Sequence, residues 1–562
     1  MKITARLAPL GIAGALALTA ACSGADTGSS RRAGDIDVSK LKLTPTTAAA
    51  KGAVASVDWL LEDEPESLDL DTQGGSAGRT VLSNVCERLY QLQPDMSVQP
   101  SLVAKETRPD PKTLVLTLRD GVTFHDGSAM TADDVLYSLK RHARPEMEQS
   151  DEFTNVSGMT KTGDREITIA FKQPDALFTK ALAGDAGLVY DREQVEKAGK
   201  DFGTPGQADA CSGPHRLTGW KSGDSITLTR YDGYWGQKAL TKKVTFRWAE
   251  DSAMVNALST GAADGAYLDT VTSAAALKGS SGLTQYYGPS TATLALIPTE
   301  RGGLADPDLR RALSLVLDRA GIARSGYGGL VEPWATPVGS GAWGYEKSVF
   351  EAAQKKLTGA PASPDAADLT AARKLVKQAE SVPDTPIVIG TDSTQGRLVI
   401  ANAVRAALTQ LGLKAQIKTV PSATYGEFYG DKEARADIDV LVADWYISKS
   451  DPLGFYDNGM SDNSNNWVGF SSTAYDQEVE EALRTIDDTK RARLVVDVQR
   501  RFSEAAVWIP VAQMPTVLVM NDELTGPPAS MAYLYSPWAA KLGAKSTTST
   551  TGATNATNAK KG

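Results

Sequence analysis

The stretch GVTFHDGSAMTADDVLYSLKR, Gly121 to Arg141, sets His125 beside Asp126 and follows them with Asp133, Asp134 and Tyr137. Imidazole next to clustered carboxylates is what a metal site or an acid–base pair is made from. The spacing argues otherwise. VTF ends a strand, and Asp126-Gly127 is a turn dipeptide, because Gly favours and Asp tolerates the positive φ of a tight turn. Thr131 is placed to cap a helix, with Asp134 three residues on as its capping-box partner. Asp133 sits in the first turn, where the helix dipole favours negative charge. Val135, Leu136 and Leu139 supply the apolar face. Every acid has a structural task, so the run predicts a strand–turn–helix boundary and no catalytic site.

The elements around it must belong to more than one domain, since the chain has 562 residues and one core does not grow that large. A hydrophobic content of 41% and a charged content of 23% are those of an ordinary globular protein. The formal net charge of −9 argues against nucleic acid, whose phosphates need a basic face. His125, His142 and His215 are the only histidines, and none pairs at metal-ligand spacing. No H-E-x-x-H and no C-x-x-C occurs. Neither metal nor cofactor is expected, and no enzymatic activity.

Strands and helices alternate along the chain. TLVLTL, Thr113 to Leu118, puts Leu114, Leu116 and Leu118 on one face of a half-buried strand. In DPDLRRALSLVLDRAGI, Asp306 reads as an N-cap and Pro307 as the first helical residue. Leu309, Ala312, Leu313, Val316, Leu317 and Ala320 continue as one 3.6-period stripe. RLVIANAVRAALTQLG repeats the pattern with Gly412 as its stop, and the strand LKAQIKTV follows. IDVLVAD, Ile438 to Asp444, is apolar enough for a strand covered on both faces. Such alternation means an α/β fold.

LRDGVTFHDGSAMTADDVLYSLKR also resembles the signature of the extracytoplasmic solute-binding proteins of peptide-type ABC importers, the oligopeptide- and dipeptide-binding family (solute-binding protein family 5). The resemblance continues in order through EDEPESLDLD, CSGPHRLTGWKSGDSITLTRYDGYWG, LSTGAADGAYLD, DPDLRRALSLVLDRAGI and DWYISKSDPLGF, covering about residues 54 to 540. It implies a two-lobed periplasmic-binding-protein-like α/β fold with a hinge and an extra subdomain on the first lobe. On that basis residues 54–290 form lobe I with its subdomain, 291–510 lobe II, and 511–540 a segment returning to lobe I. The crossings fall near 287–297 and 505–515.

The ends of the chain are read from composition. Lys2 and Arg6 precede the apolar run LAPLGIAGALALTAAC, which is too short for an ordinary membrane span and reads as an export signal over residues 1–21. LTAAC resembles the lipobox of bacterial lipoproteins, with Cys22 as the lipidated residue. Residues 22–53, rich in Ser, Thr, Ala and Gly, are expected as a flexible tether, and 541–562 as a disordered tail. Outside the cell Cys86 and Cys211 could bridge or remain free; their spacing does not decide.

The resemblance places the ligand in a cleft that closes on it, and an unpaired buried ammonium there costs several kcal/mol. In the family an aspartate three residues before the Asp-Pro of the tryptophan loop captures the α-amine of the peptide. Here that position is Ser448, which can accept a hydrogen bond but cannot neutralise a charge. Asp444 is the nearest substitute, with its ending of a strand as the equal alternative. Trp445 and its companion Tyr446 are expected to line the cleft, and Asp451 reads as a helix cap. The expected protein is a lipid-anchored, monomeric receptor on the outer face of the cell membrane, passing oligopeptides or related solutes to an ABC permease whose ATPases act on the cytoplasmic side. A secreted hydrolase, or a sensor that keeps the fold without transporting, are the alternatives.

Overall fold

The computed structural model describes residues 41–546; Cys22, the signal run, the start of the tether and the tail from 547 lie outside the described residues. Hydrophobic alternation sorts the strands into three large sheets. In Val57–Leu61, the residues Val57, Trp59 and Leu61 enter one core while Leu60 enters another, so this strand is buried on both faces. It pairs in parallel with Gly265–Leu268 and Lys243–Trp248. Thr516–Asn521 and Leu283–Gly288 extend the sheet on one side, and Ser225–Arg230 and His215–Lys221 on the other, giving seven strands.

The second sheet has six strands, in the order Glu332–Pro333, Ile509–Gln513, Thr293–Pro298, Val440–Trp445, Ile387–Asp392 and Ala415–Val420. Here Leu294, Leu296, Val440 and Val442 face one core, and Ala295, Ile297, Leu441 and Ala443 the other. Double coverage accounts for the continuous apolar run. The third sheet, with Val103–Asp110, Thr113–Leu118, Glu166–Phe171 and Val156–Gly163, is antiparallel. Leu114, Leu116 and Leu118 point from it onto the helix Ala132–His142, through Val135 and Leu139. These are two α/β lobes with a subdomain on the first.

The boundary read from GVTFHDGSAMTADD is present. Gly127 has φ +92°, Asp126 accepts from the Ser128 N–H at 2.8 Å, and Thr131 and Asp134 form a reciprocal capping box. His125 is buried between Asp209 at 2.5 Å and the Gly213 carbonyl at 2.9 Å. Its role is to tie two loops together.

Three expectations need correction. The stripe from Leu309 to Ala320 belongs to two helices, Pro307–Val316 and Arg319–Tyr327. Asp318 breaks it by capping the second helix, accepting from the Gly321 N–H at 2.8 Å. The end of the expected flexible tether is held: the Thr44 N–H donates to Tyr287 O at 2.7 Å, the Thr47 hydroxyl to Pro527 O at 2.8 Å, and Gly52 bridges Ala544. Low apolar content did not prevent docking, because each of these hydrogen bonds is accepted by a backbone carbonyl. For the same reason the expected tail begins too early, since Gly543–Ala544 pairs with Leu524–Thr525. Just before it, Trp538 packs 4.5 Å from Trp59 in the first lobe's core.

Cys86 and Cys211 are joined in a disulfide with their Cα atoms 4.7 Å apart, inside the first lobe's core. Beside it Ser212 donates to Glu87 at 2.9 Å, and His215 is fully buried. The CSGPH segment is buried throughout, with Cys211 in the first lobe's core.

Candidate functional site: the cleft between the lobes

The chain passes between the two large sheets twice, at residues 289–292 and 514–515, where strand membership changes. Both crossings leave the first sheet at one edge. Gly288 pairs with Thr516 there, and Val517 pairs with Leu268, the last residue of a parallel strand. They enter the second sheet at Thr293 and Gln513, which pair with each other, while Thr293 also pairs with Trp445. The carboxyl ends of the parallel strands in both sheets therefore lie at the edges the crossings join, where open α/β sheets bind ligands. Close approach holds one crossing in place: the Gly341 N–H donates to Ser290 O at 3.0 Å, and a Cβ on Gly341 would fall 2.5 Å from the Ser290 carbonyl carbon.

On the second lobe this edge carries Asp392, Asp444, Trp445 and the loop that follows. Trp445 is half-buried, its ring centroid 5.1 Å from that of Trp508 and 5.9 Å from that of Tyr429. Tyr446 is 54% exposed, and Val382 is the only other large hydrophobic side chain so exposed among the described residues. Its phenol lies close enough to Arg79 and Tyr535 of the first lobe to interact electrostatically with both. Ser448 is exposed and makes no side-chain hydrogen bond among the described residues.

Asp444 is already engaged. Its Oδ1 accepts from Arg397 Nε at 3.1 Å and from Nη2, and Arg397 also donates to Asp392 at 2.8 Å. Burial works against the charge on Arg397, but Asp444 and its neighbours outweigh it and hold the guanidinium charged. Much of the Asp444 charge is spent inside its own lobe. Asp451, at the end of the loop, is fully buried: it accepts from the Leu453 N–H at 3.0 Å, from the Tyr345 hydroxyl at 3.2 Å and from Arg491 Nε at 3.1 Å. It caps and anchors the loop.

The first lobe faces this edge with Arg79, Tyr535 and a row of acids. Arg79 Nε donates to Asp185 at 2.5 Å, and Arg88 holds the other Asp185 oxygen at 3.1 Å. Asp63 and Asp269 follow the carboxyl ends of Val57–Leu61 and Gly265–Leu268. Partial burial and repulsion from Asp269, then from Glu66 and Glu250, push the Asp63 carboxyl above its usual range. Among the described residues no group of three His, Cys, Asp or Glu side chains is placed to hold a metal ion.

Sequence reading brought Asp444, Trp445, Tyr446 and Ser448 to one loop at the cleft edge, but missed Arg79, Tyr535 and Arg397. Arg397 had a signal: it stands in the first turn of the helix after the strand Ile387–Asp392, at a carboxyl edge. Arg79 and Tyr535 are far apart in sequence and meet only in the fold.

Residues 97–467 match the family model of bacterial extracellular solute-binding proteins, family 5, middle. The probable D,D-dipeptide-binding periplasmic protein DdpA of Escherichia coli (strain K12) is 25% identical over 477 residues, covering 82% of this chain and 89% of that protein. The glutathione-binding protein GsiB of Salmonella typhi is 25% identical over 480 residues, with the same coverage of each. Among solved structures, the ABC transporter substrate-binding protein CtaP of Listeria monocytogenes superposes with a TM-score of 0.74 at 19% identity, over 88% of this chain and 100% of that one. The oligopeptide-binding protein AppA of Bacillus subtilis, in complex with a nonapeptide, gives 0.68 at 18% identity, over 88% and 99%. The chain belongs to the bacterial extracellular solute-binding proteins of family 5, the extracytoplasmic receptors of peptide-type ABC importers.

Proposed function

We propose that this receptor captures oligopeptides between its lobes and delivers them to the permease of an ABC importer, while Cys22 anchors it to the outer face of the cell membrane through lipid. The observation that carries the ligand reading is Tyr446, an aromatic side chain left more than half in water at the cleft edge, within electrostatic range of Arg79 and Tyr535 of the first lobe. A ring kept exposed contributes little to the core, whereas stacking on a ligand's amide or side chain would use its face. Names of relatives support the same class: they bind a D,D-dipeptide, glutathione and a nonapeptide. No helix among the described residues is long and apolar enough to cross a membrane, so attachment on this reading rests on the Cys22 lipid.

The division of labour is residues 54–290 as the first lobe, 291–510 as the second and 511–540 as the returning segment, with the sheet change at 514–515 as the working boundary. Within the cleft the α-amine of the peptide is not assigned to Asp444, which serves Arg397. It falls to the carboxylates of the first lobe, Asp63 and Asp269, where an ammonium would relieve the repulsion between acids. Mass spectrometry of what co-purifies with the protein tests the ligand class. Peptides released on denaturation are expected; a non-peptide solute in stoichiometric amount would overturn the assignment.

A further inference from the structure

We infer that Glu152 and Lys449 form a clasp between the lobes, an ion pair that positions the cleft loop 446–450 and parts when the lobes part. The inference rests on the cleft reading above but concerns lobe geometry, and it needs no ligand to be tested.

Glu152 lies in the short helix Ser150–Phe153 of the first lobe's subdomain, and Lys449 follows Tyr446 by three residues on the second lobe. Both oxygens of Glu152 accept from Lys449 Nζ, at 2.5 and 2.6 Å. The side chains are only 17% and 15% exposed, so the lysine is not the solvated surface residue its loop position suggests. Its stem runs past Gly454, where an added Cβ would fall 3.4 Å from the Lys449 Cε. Asp457 and Asp151 add negative charge around the ammonium, and together with Glu152 they outweigh the burial that works against its charge.

The surrounding contacts show that the pair sits in a real interface. The Ala176 N–H of the first lobe donates to Leu483 O of the second at 2.9 Å. Leu177 joins the second lobe's core, and Lys180 Nζ stands 4.7 Å from the centroid of the Tyr345 ring. The loop itself is fixed at its start by Ile447, whose backbone N–H donates to Thr291 Oγ1 at 3.2 Å, and at its end by buried Asp451. Between these anchors, Lys449 supplies the side-chain bond to the first lobe. An ion pair suits a contact that must be remade, since its charges regain water on separation and attract at short range on return.

The test measures the distance between spin labels at Lys221→Cys and Glu433→Cys in the full chain carrying Cys22→Ala, without ligand. Both label positions are exposed, one on each lobe. Lys449→Met and Glu152→Gln should each raise the population with separated lobes about fivefold. The two together should do no more than either alone, and Lys449→Arg, which keeps the charge, should stay at the wild-type distribution. Unchanged melting temperatures would separate a shift in lobe position from loss of fold. Wild-type distances in Lys449→Met and Glu152→Gln, or Lys449→Arg displaced as far as Lys449→Met, would overturn the clasp.

Discussion

Removing the disulfide should destabilise the protein through its unfolded state. The bridge joins residues 125 apart in sequence. Closing a loop of that length removes chain entropy worth about 5 kcal/mol at room temperature. The native side should change little, because backbone bonds already hold the two segments together. The Gly213 N–H donates to Val85 O at 2.8 Å, the His215 N–H to Asn84 O at 3.1 Å, and the His125 N–H to Cys211 O at 2.8 Å. Cys86→Ser with Cys211→Ser should therefore keep the wild-type circular dichroism but unfold at lower urea. Urea titration followed by tryptophan fluorescence reads the difference, and adding reductant to the wild type should reproduce it. A double variant within ~1 kcal/mol of the wild type would refute the reasoning, since ordinary surface changes account for that much.

Thr131→Ala should cost ~1 kcal/mol in the same titration by removing the helix cap, and should leave ligand affinity unchanged. Asp451→Ala should cost ~3 kcal/mol, because it removes the buried one of the two carboxylates, Asp451 and Asp488, that neutralise Arg491 at 1% exposure; a variant as stable as wild type would contradict the buried pairing. Glu87 and His215 should oppose each other with pH. Burial pushes the Glu87 carboxyl from 4.5 up to about 7, against donors from Trp235, Ser212 and Tyr234, so its stabilisation is full below 4.5 and is lost as pH rises to 7. Burial pushes His215 from 6.5 down to about 4, so its stabilisation is full above 6.5 and is lost as pH falls to 4. Each is worth ~3 kcal/mol. Glu87→Gln should uncover the histidine slope as an added loss on acidification below pH 6.5, and a pH-independent difference from wild type would contradict it.

Local signals carried well from sequence to structure. The Thr131 capping box, the alternation in Thr113–Leu118 and the doubly covered run at Val440–Trp445 are each settled by residues within a few positions. The break at Asp318 was missed because an apolar stripe can run across two consecutive helices, and only the cap bond to Gly321 separates them. Partnership was the other blind spot. Asp444 looked available because Arg397, its partner, is 47 residues away. Lys449 has its partner, Glu152, 297 residues away in the other lobe, where no local pattern could point to it. A cleft wall made of loops from two lobes offers no periodicity to read, so its residue types were legible and their pairing was not.

The central claim is that a peptide lies against Tyr446 between the lobes. Calorimetric titration of the most abundant co-purifying peptide into wild type and Tyr446→Ala tests it most directly. With the ring exposed in the free protein, its truncation should leave the melting temperature unchanged. Loss of stacking worth about 1.4 kcal/mol should weaken binding about tenfold. Equal affinity in the two proteins would place the ligand elsewhere and contradict the account.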